Sequence, residues 1–80
     1  MTTRERDLGR YAELLDIRRD WHGPAHEGPG GIYCLTRNPR AENPWTVHAI
    51  DTRRREVRPV LPYPSFEAAT RAARDFATND

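Results

Sequence analysis

The most regular alternation of apolar and polar side chains lies between residues 45 and 51, which read Trp-Thr-Val-His-Ala-Ile-Asp. Alternation with a period of two is typical of a β-strand with one buried face. The face that we expect to lie against the core carries Trp45, Val47 and Ala49, and the other face carries Thr46, His48 and Ile50. The segment therefore predicts a strand with one face in the core.

Two further segments complete the predicted sheet. Residues 32–36 form a short β-prone run, and residues 56–61 follow a charged turn at 52–55. Pro59 predicts that the last strand lies at an edge of the sheet, because proline has no N–H group to donate to a neighbouring strand. Together with residues 45–51, these segments predict a three-stranded antiparallel sheet.

The C-terminal segment changes to helical spacing. Ser65 is a favourable N-cap residue, and Glu67 follows in the first turn, where an acidic side chain stabilises the start of a helix. We therefore predict a helix from Phe66 to about Ala77. The apolar stripe that would pack on the sheet consists of Phe66, Ala69, Ala73 and Phe76.

The N-terminal part of the chain also shows apolar residues at helical spacing. Leu8, Tyr11 and Leu15 would share one face of a helix. We therefore predict a helix over about residues 4–19, within an N-terminal unit of residues 1–21; the alternative is a helix that ends near Asp16, where the chain then turns. A second apolar stripe on this helix would consist of Leu14, Ile17 and Trp21.

Residues 22–31 contain four Gly and two Pro residues, and this composition predicts an irregular connector. The predicted fold is a single α+β domain of 80 residues with the element order α-β-β-β-α, in which residues 32–80 hold the sheet and the C-terminal helix. A chain of this length buries only about 60–65% of the surface that its unfolded form exposes. A homodimer or another stabilising partner is therefore a reasonable expectation.

The composition narrows the classes of function. All thirteen basic residues are Arg and the net charge is +1, so no strong overall field attracts nucleic acid. Arg in place of Lys, together with abundant Ala, is typical of a GC-rich coding sequence and favours a bacterial or phage origin. The single cysteine and the charged N-terminus favour a cytoplasmic protein, and no apolar stretch is long enough to span a membrane.

The first candidate surface is the predicted hairpin between residues 45 and 61. Guanidinium groups bind phosphates and carboxylates through paired hydrogen bonds, so an arginine-rich turn would contact nucleic acid or an acidic protein. The alternative is a solvated turn in a protein that uses Arg throughout. The candidate residues of this surface are Thr46, His48, Arg53, Arg54, Arg55 and Arg58.

The second candidate surface is the N-terminal helix, on which Leu14, Ile17 and Trp21 would form a docking stripe for a protein partner. We predict no catalytic, metal-binding or cofactor-binding site. Cys34 lies in the middle of a predicted strand, where cysteine usually acts as a small apolar residue. The histidines lack the paired spacings of a zinc site.

The order strand, hairpin and helix resembles two groups of small modules, and the segment Pro64-Ser65-Phe66-Glu67-Ala68-Ala69 at the start of the helix contributes to the likeness. One group is the arm-binding domains of phage integrases, whose lysine-rich strands have no counterpart here. The other is the antitoxins with a partial ribonuclease-H fold. The resemblance covers about residues 32–77 and rests on the pattern of elements.

We therefore expect a small non-enzymatic binding or regulatory protein that acts through protein–protein contacts, as an adaptor, an inhibitor or an antitoxin-like protein. The alternative function is a nucleic-acid-binding module that uses the basic hairpin from Arg53 to Arg58.

Overall fold

The computed structural model describes residues 3–79 and folds them into a five-stranded antiparallel sheet and one α-helix. The strands are β1 (Arg4–Arg6), β2 (Trp21–Gly28), β3 (Gly31–Arg37), β4 (Trp45–Asp51) and β5 (Glu56–Tyr63), and the helix is α1 (Phe66–Thr78). The strands lie side by side in their order along the chain. The predicted arrangement of an N-terminal helix and a three-stranded sheet is therefore wrong.

The three strands that alternation predicted are present. β3 pairs with β4, and β4 pairs with β5. β5 forms one edge of the sheet, which confirms the prediction made from Pro59. Val47 pairs with Leu61 and His48 pairs with Pro59, so Val60 is an extra residue that bulges from β5.

The predicted connector over residues 22–31 is wrong because most of it forms β2. His22 pairs with Leu35 and His26 pairs with Tyr33, so the residues between the two histidines form a β-bulge. Gly23 adopts a φ of 73° in this bulge, a conformation that glycine accepts without steric cost. A Gly-Pro pair is thus compatible with a strand that is locally irregular.

The predicted N-terminal helix is wrong as well. Residues 4–6 form β1 and pair with residues 25–27 of β2, and a short 3₁₀ helix over Leu8–Tyr11 follows. The chain must return to Trp21, which is about 13 Å along β2 from the partner of Arg6. Residues 7–20 in one helix would span about 21 Å and overshoot this point, whereas successive turns fit the distance.

One face of the sheet, here called the helix face, packs against α1. Ala69, Ala73 and Ala77 are fully buried, and their small side chains allow the helix backbone to lie close to the strands. Leu35 and Val47 fill the sheet side of this core. The predicted core side chains Trp45 and Phe76 pack against the same cluster, whereas Ala49 is half-buried and Phe66 is exposed.

The opposite face of the sheet is covered by residues 7–20, here called the N-terminal segment. Its Tyr11 forms a buried cluster with Ala25, Cys34 and Ile50. Partly buried side chains complete this second core: Leu8, Leu14, Leu15, Trp21, Ile32 and Val57. The helical spacing in the sequence therefore marked a real apolar face, although the backbone forms turns. Within residues 3–79, no helix is long and apolar enough to cross a membrane.

The C-terminal end of α1 lies against the hairpin that joins β2 and β3. The backbone N–H of Gly30 donates to the carbonyl oxygen of Ala77 at 2.8 Å. A Cβ atom on Gly30 would overlap the carbonyl oxygens of Phe76 and Asn79, and one on Gly28 would overlap the Ala77 carbonyl. Because Gly28 and Gly30 have no side chains, the C-terminal end of the helix can lie close to this hairpin.

We expect Gly30→Ala to lower the free energy of unfolding by about 1–3 kcal/mol, because the added methyl group pushes α1 away from the sheet. Gly9→Ala is the matched control: Gly9 is exposed, and the new methyl group would meet only the Asp7 side chain. Its effect should stay within about 0.5 kcal/mol. Urea denaturation measures both values, and equal stability of the two variants would contradict this packing.

Candidate binding surface

The turn between β4 and β5 is organised by Asp51. Its Oδ1 atom accepts hydrogen bonds from the backbone N–H groups of Arg53 and Arg54, both at 3.0 Å. The pKa of Asp51 is lowered below its usual value, and the largest cause is the backbone hydrogen bond from Arg54. The hydrogen bond from Arg53 and the nearby charges of Arg54 and Arg58 lower it further. The turn is thus a defined structure, with Arg55 in the left-handed region at a φ of 55°.

The four arginines of this hairpin differ in their partners. Arg54 lies 3.9 Å from a carboxylate oxygen of Asp51, and Arg55 lies 3.2 Å from one of Glu13 in the N-terminal segment. Among residues 3–79, no carboxylate forms an ion pair with Arg53 or Arg58. Two of the four positive charges are therefore available to a ligand.

Arg53 and Arg58 line the same concavity on the helix face, here called the arginine recess. It has a volume of about 330 Å³. Its lining consists of Gly30, Gly31, Ile32, Tyr33, Ala49, Ile50, Asp51, Thr52, Arg53 and Arg58. The recess thus joins the β2–β3 hairpin to the β4–β5 hairpin at one end of the sheet.

The recess exists because α1 does not cover the whole helix face. The helix packs mainly on the central strand β3, contacts β2 and β4 to a similar extent, and contacts the edge strand β5 least of these four. Ala49 of β4 is opposite Arg58 of β5, and its small side chain leaves space beside the arginine. Tyr33 supplies an aromatic wall, and its hydroxyl group donates to the carbonyl oxygen of Gly30 at 3.2 Å.

An apolar strip continues from the recess along β5. It consists of Leu61, Tyr63, Trp45 and Phe66. Tyr63 is opposite Trp45, and the rings of Trp45 and Phe66 have centroids 5.0 Å apart. Leu61 is 50% exposed and Phe66 is 40% exposed. The guanidinium carbon of Arg37 lies 5.9 Å from the centre of the Trp45 ring, so the strip has a basic residue at its far end as well.

Two residues of the predicted hairpin surface do not contribute to this region. His48 is only 2% exposed, because the N-terminal segment covers it and the Trp21 ring lies 5.0 Å away. Its Nε2 atom is 2.7 Å from Oγ1 of Thr36. Thr46 is half-buried and lies on the same face of β4 as His48. The expectation that His48 is part of an exposed surface is therefore corrected.

The predicted docking stripe of Leu14, Ile17 and Trp21 does not form, because the helix that would align it is absent. Leu14 and Trp21 pack into the core of the opposite face. The indole Nε1 of Trp21 donates to the carbonyl oxygen of Asp16 at 2.8 Å, which fixes the N-terminal segment to the sheet. Ile17 alone points away and is 94% exposed.

Cys34 and His48 are directly opposite each other on β3 and β4. Burial raises the pKa of the Cys34 thiol to about 12. Burial, with a smaller contribution from the charge of Arg19, lowers the pKa of His48 to about 4. Both groups are therefore neutral near pH 7 and enclosed, whereas a nucleophilic cysteine requires a thiolate. In the described part of the chain, no three His, Cys, Asp or Glu side chains converge on a common point.

Sequence reasoning found the arginines but missed the residues that build their surroundings. The alternation in the sequence predicts that Ala49 lies in the core, although its position opposite Arg58 follows from the hairpin register. Leu61 and Phe66 were assigned to a strand and to a helix stripe, without a sign that they would remain exposed. Their exposure follows from the limited contact between α1 and the edge strand β5, which only the structure shows.

Comparison with protein-family models, curated proteins and solved structures gives no match to this chain. The function is therefore inferred from the residues of the arginine recess and the apolar strip.

The buried imidazole of His48 makes stability depend on pH. Its folded-state pKa of about 4 lies below the value of about 6.5 in an unfolded chain. The unfolded state therefore binds more protons, and stability falls as the pH falls from about 6.5 to 4. We expect a total loss on the order of 3 kcal/mol from this residue.

Urea denaturation at several pH values between 7.5 and 4.5 measures this loss. His48→Gln provides the comparison, because Gln offers the Thr36 hydroxyl group a hydrogen-bonding partner and does not titrate. The variant should show a clearly smaller pH dependence. Some dependence remains, since burial also lowers the pKa of His26. Identical pH profiles for both proteins would contradict the burial of a neutral His48.

Proposed function

We propose that this chain is a small non-enzymatic binding protein of the cytoplasm, and that it acts by docking another protein on the uncovered part of its helix face. This proposal rests on one observation: a basic side chain and several apolar side chains form a continuous surface. The exposed Arg58 and the half-exposed Leu61 lie in one row along β5, next to Tyr63 and the exposed Phe66.

The composition of this surface suits a protein interface. The centres of such interfaces are enriched in aromatic residues and Arg, and the residues that contribute most to affinity are often Trp, Tyr and Arg. The apolar strip contains Trp45 and Tyr63, with Arg58 at one end and Arg37 at the other. An exposed apolar region of this kind is typical of a binding site.

The edge of β5 is less suited to binding a partner than the helix face. A partner strand that extends the sheet needs backbone N–H groups at the edge. Pro59, Pro62 and Pro64 lie in or directly after β5, and proline lacks this group. The partner is therefore expected to contact side chains of the helix face rather than the backbone of β5.

Nucleic acid is the second candidate partner, because Arg53, Arg54, Arg55 and Arg58 are all exposed along one hairpin. The affinity of the chain for nucleic acid would fall steeply as the salt concentration rises, since binding to phosphates releases counterions. The pairing of Arg54 with Asp51 and of Arg55 with Glu13 weakens this candidate, as does the net charge of +1.

The proposed function predicts that Leu61→Ser lowers the amount of a stoichiometric protein partner captured from a lysate of the source organism by at least tenfold. Ile17→Ser is the matched control, because Ile17 is an exposed apolar residue far from the helix face. It should leave the capture unchanged. Capture is measured after nuclease treatment, and circular dichroism verifies that both variants are folded.

Two results would contradict the proposed function. One is a loss of captured partner after nuclease treatment, which would favour the nucleic-acid candidate. The other is equal capture by the wild-type chain and by Leu61→Ser, which would remove the apolar strip from the binding surface.

A further inference from the structure

We infer that the arginine recess binds a carboxylate side chain of the partner protein, while the apolar strip contacts an apolar side chain next to it. This inference rests on the proposed function and adds the chemistry of the partner: an acidic residue beside an apolar one. It gives Arg53 and Arg58 a role that Arg54 and Arg55 do not share.

The four arginines of the hairpin differ in whether their charge is already paired. Arg54 and Arg55 already have carboxylate neighbours in Asp51 and Glu13. Neither Arg53 nor Arg58 forms an ion pair with a carboxylate of residues 3–79, although the charge of Arg58 lies near Asp51. These are the two arginines that line the recess. The recess therefore presents two guanidinium groups that form no ion pair within the described part of the chain.

Asp51 also lines the recess, but its charge is engaged within the turn. Its Oδ1 atom accepts two backbone hydrogen bonds, and its Oδ2 atom faces the guanidinium group of Arg54. The charged side chains of the recess are Asp51, Arg53 and Arg58. The two positive charges exceed the single negative charge, and one monovalent anion would balance the difference. A single carboxylate supplies this charge.

The shape of the recess suits an acidic side chain. A guanidinium group binds a carboxylate through two parallel hydrogen bonds, which are stronger than bonds between neutral groups. Tyr33 and Ala49 give the recess apolar walls, which suit the methylene groups of an acidic side chain. The volume of about 330 Å³ is ample for such a side chain, since one water molecule occupies about 30 Å³ in the liquid.

The spacing between Arg58 and Leu61 matches that of two side chains on one face of an extended segment. Arg58 is opposite Ala49, and Leu61 is opposite Val47, so the basic and apolar positions are two residues apart along β4. This corresponds to about 7 Å. In an extended partner segment, an acidic residue and an apolar residue at positions i and i+2 have the same spacing.

The continuation of the surface favours a carboxylate over a phosphate backbone. A strand of nucleic acid requires a positive groove that follows its phosphates over several nucleotides. After Arg58, the next exposed residues along β5 are Pro59, Val60 and Leu61, whose apolar side chains do not bind phosphates favourably. A short acidic and apolar protein segment matches this order of side chains.

The test uses the ¹⁵N-labelled full chain and two peptides, acetyl-Ser-Glu-Ser-Leu-Ser-amide and its Gln counterpart. We expect the Glu peptide to shift the side-chain Nε–H signals of Arg53 and Arg58 and the backbone signals of Tyr33 and Ala49. The Gln peptide should bind at least fivefold more weakly. Arg58→Gln should weaken binding of the Glu peptide at least tenfold, whereas the matched control Arg54→Gln should change it less than twofold.

Three outcomes would overturn the inference: no shift at the recess, equal binding of both peptides, or tighter binding of inorganic phosphate or a ten-residue oligothymidylate at the same residues. The partner capture described above separates this inference from the proposed function. Loss of capture in Leu61→Ser, with full capture in Arg53→Gln and Arg58→Gln, rejects the carboxylate site and keeps the proposed function. Full capture in all three variants rejects the proposed function.

Discussion

The close contact between α1 and the strands β2 and β3 determines the rest of the structure. Three alanines on the helix and two glycines on the β2–β3 hairpin bring the two backbones together. This contact places the helix over the central strand β3, so the edge strand β5 and the neighbouring end of β4 keep part of their helix face exposed. The arginine recess and the apolar strip both lie in the area that the helix leaves open. A residue with a larger side chain at the alanine or glycine positions would shift the helix and change the shape of the surface.

The C-terminal half of the fold was predictable because local signals there agree with the final structure. Alternation over residues 45–51 and the cap at Ser65 both depend on neighbours in the sequence. The N-terminal half was not predictable in this way. β2 contains Gly23 and Pro24, which are normally signs of a loop and here occupy a bulge. The apolar spacing from Leu8 to Leu15 describes which side chains reach the core, but it cannot distinguish an α-helix from a series of turns packed on a sheet.

The candidate surface was predictable only in part, for the same reason. The arginines of the hairpin are evident in the sequence, but their partners are not. Glu13 and Arg55 are 42 residues apart in the chain, so their pairing depends on the N-terminal segment reaching the tip of the hairpin. The burial of His48 depends on the same segment. Distinguishing the unpaired arginines from the paired ones therefore required the tertiary structure.

The two edges of the sheet have a consequence for the behaviour of the chain at high concentration. β1 is only three residues long and reads Arg-Glu-Arg, and β5 contains two prolines. Short charged strands and prolines both prevent edge-to-edge pairing between sheets of different molecules. A small protein with an exposed apolar strip is thereby protected against ordered aggregation. On β5, the prolines of the backbone thus limit pairing with other sheets, while the side chains of the helix face remain exposed.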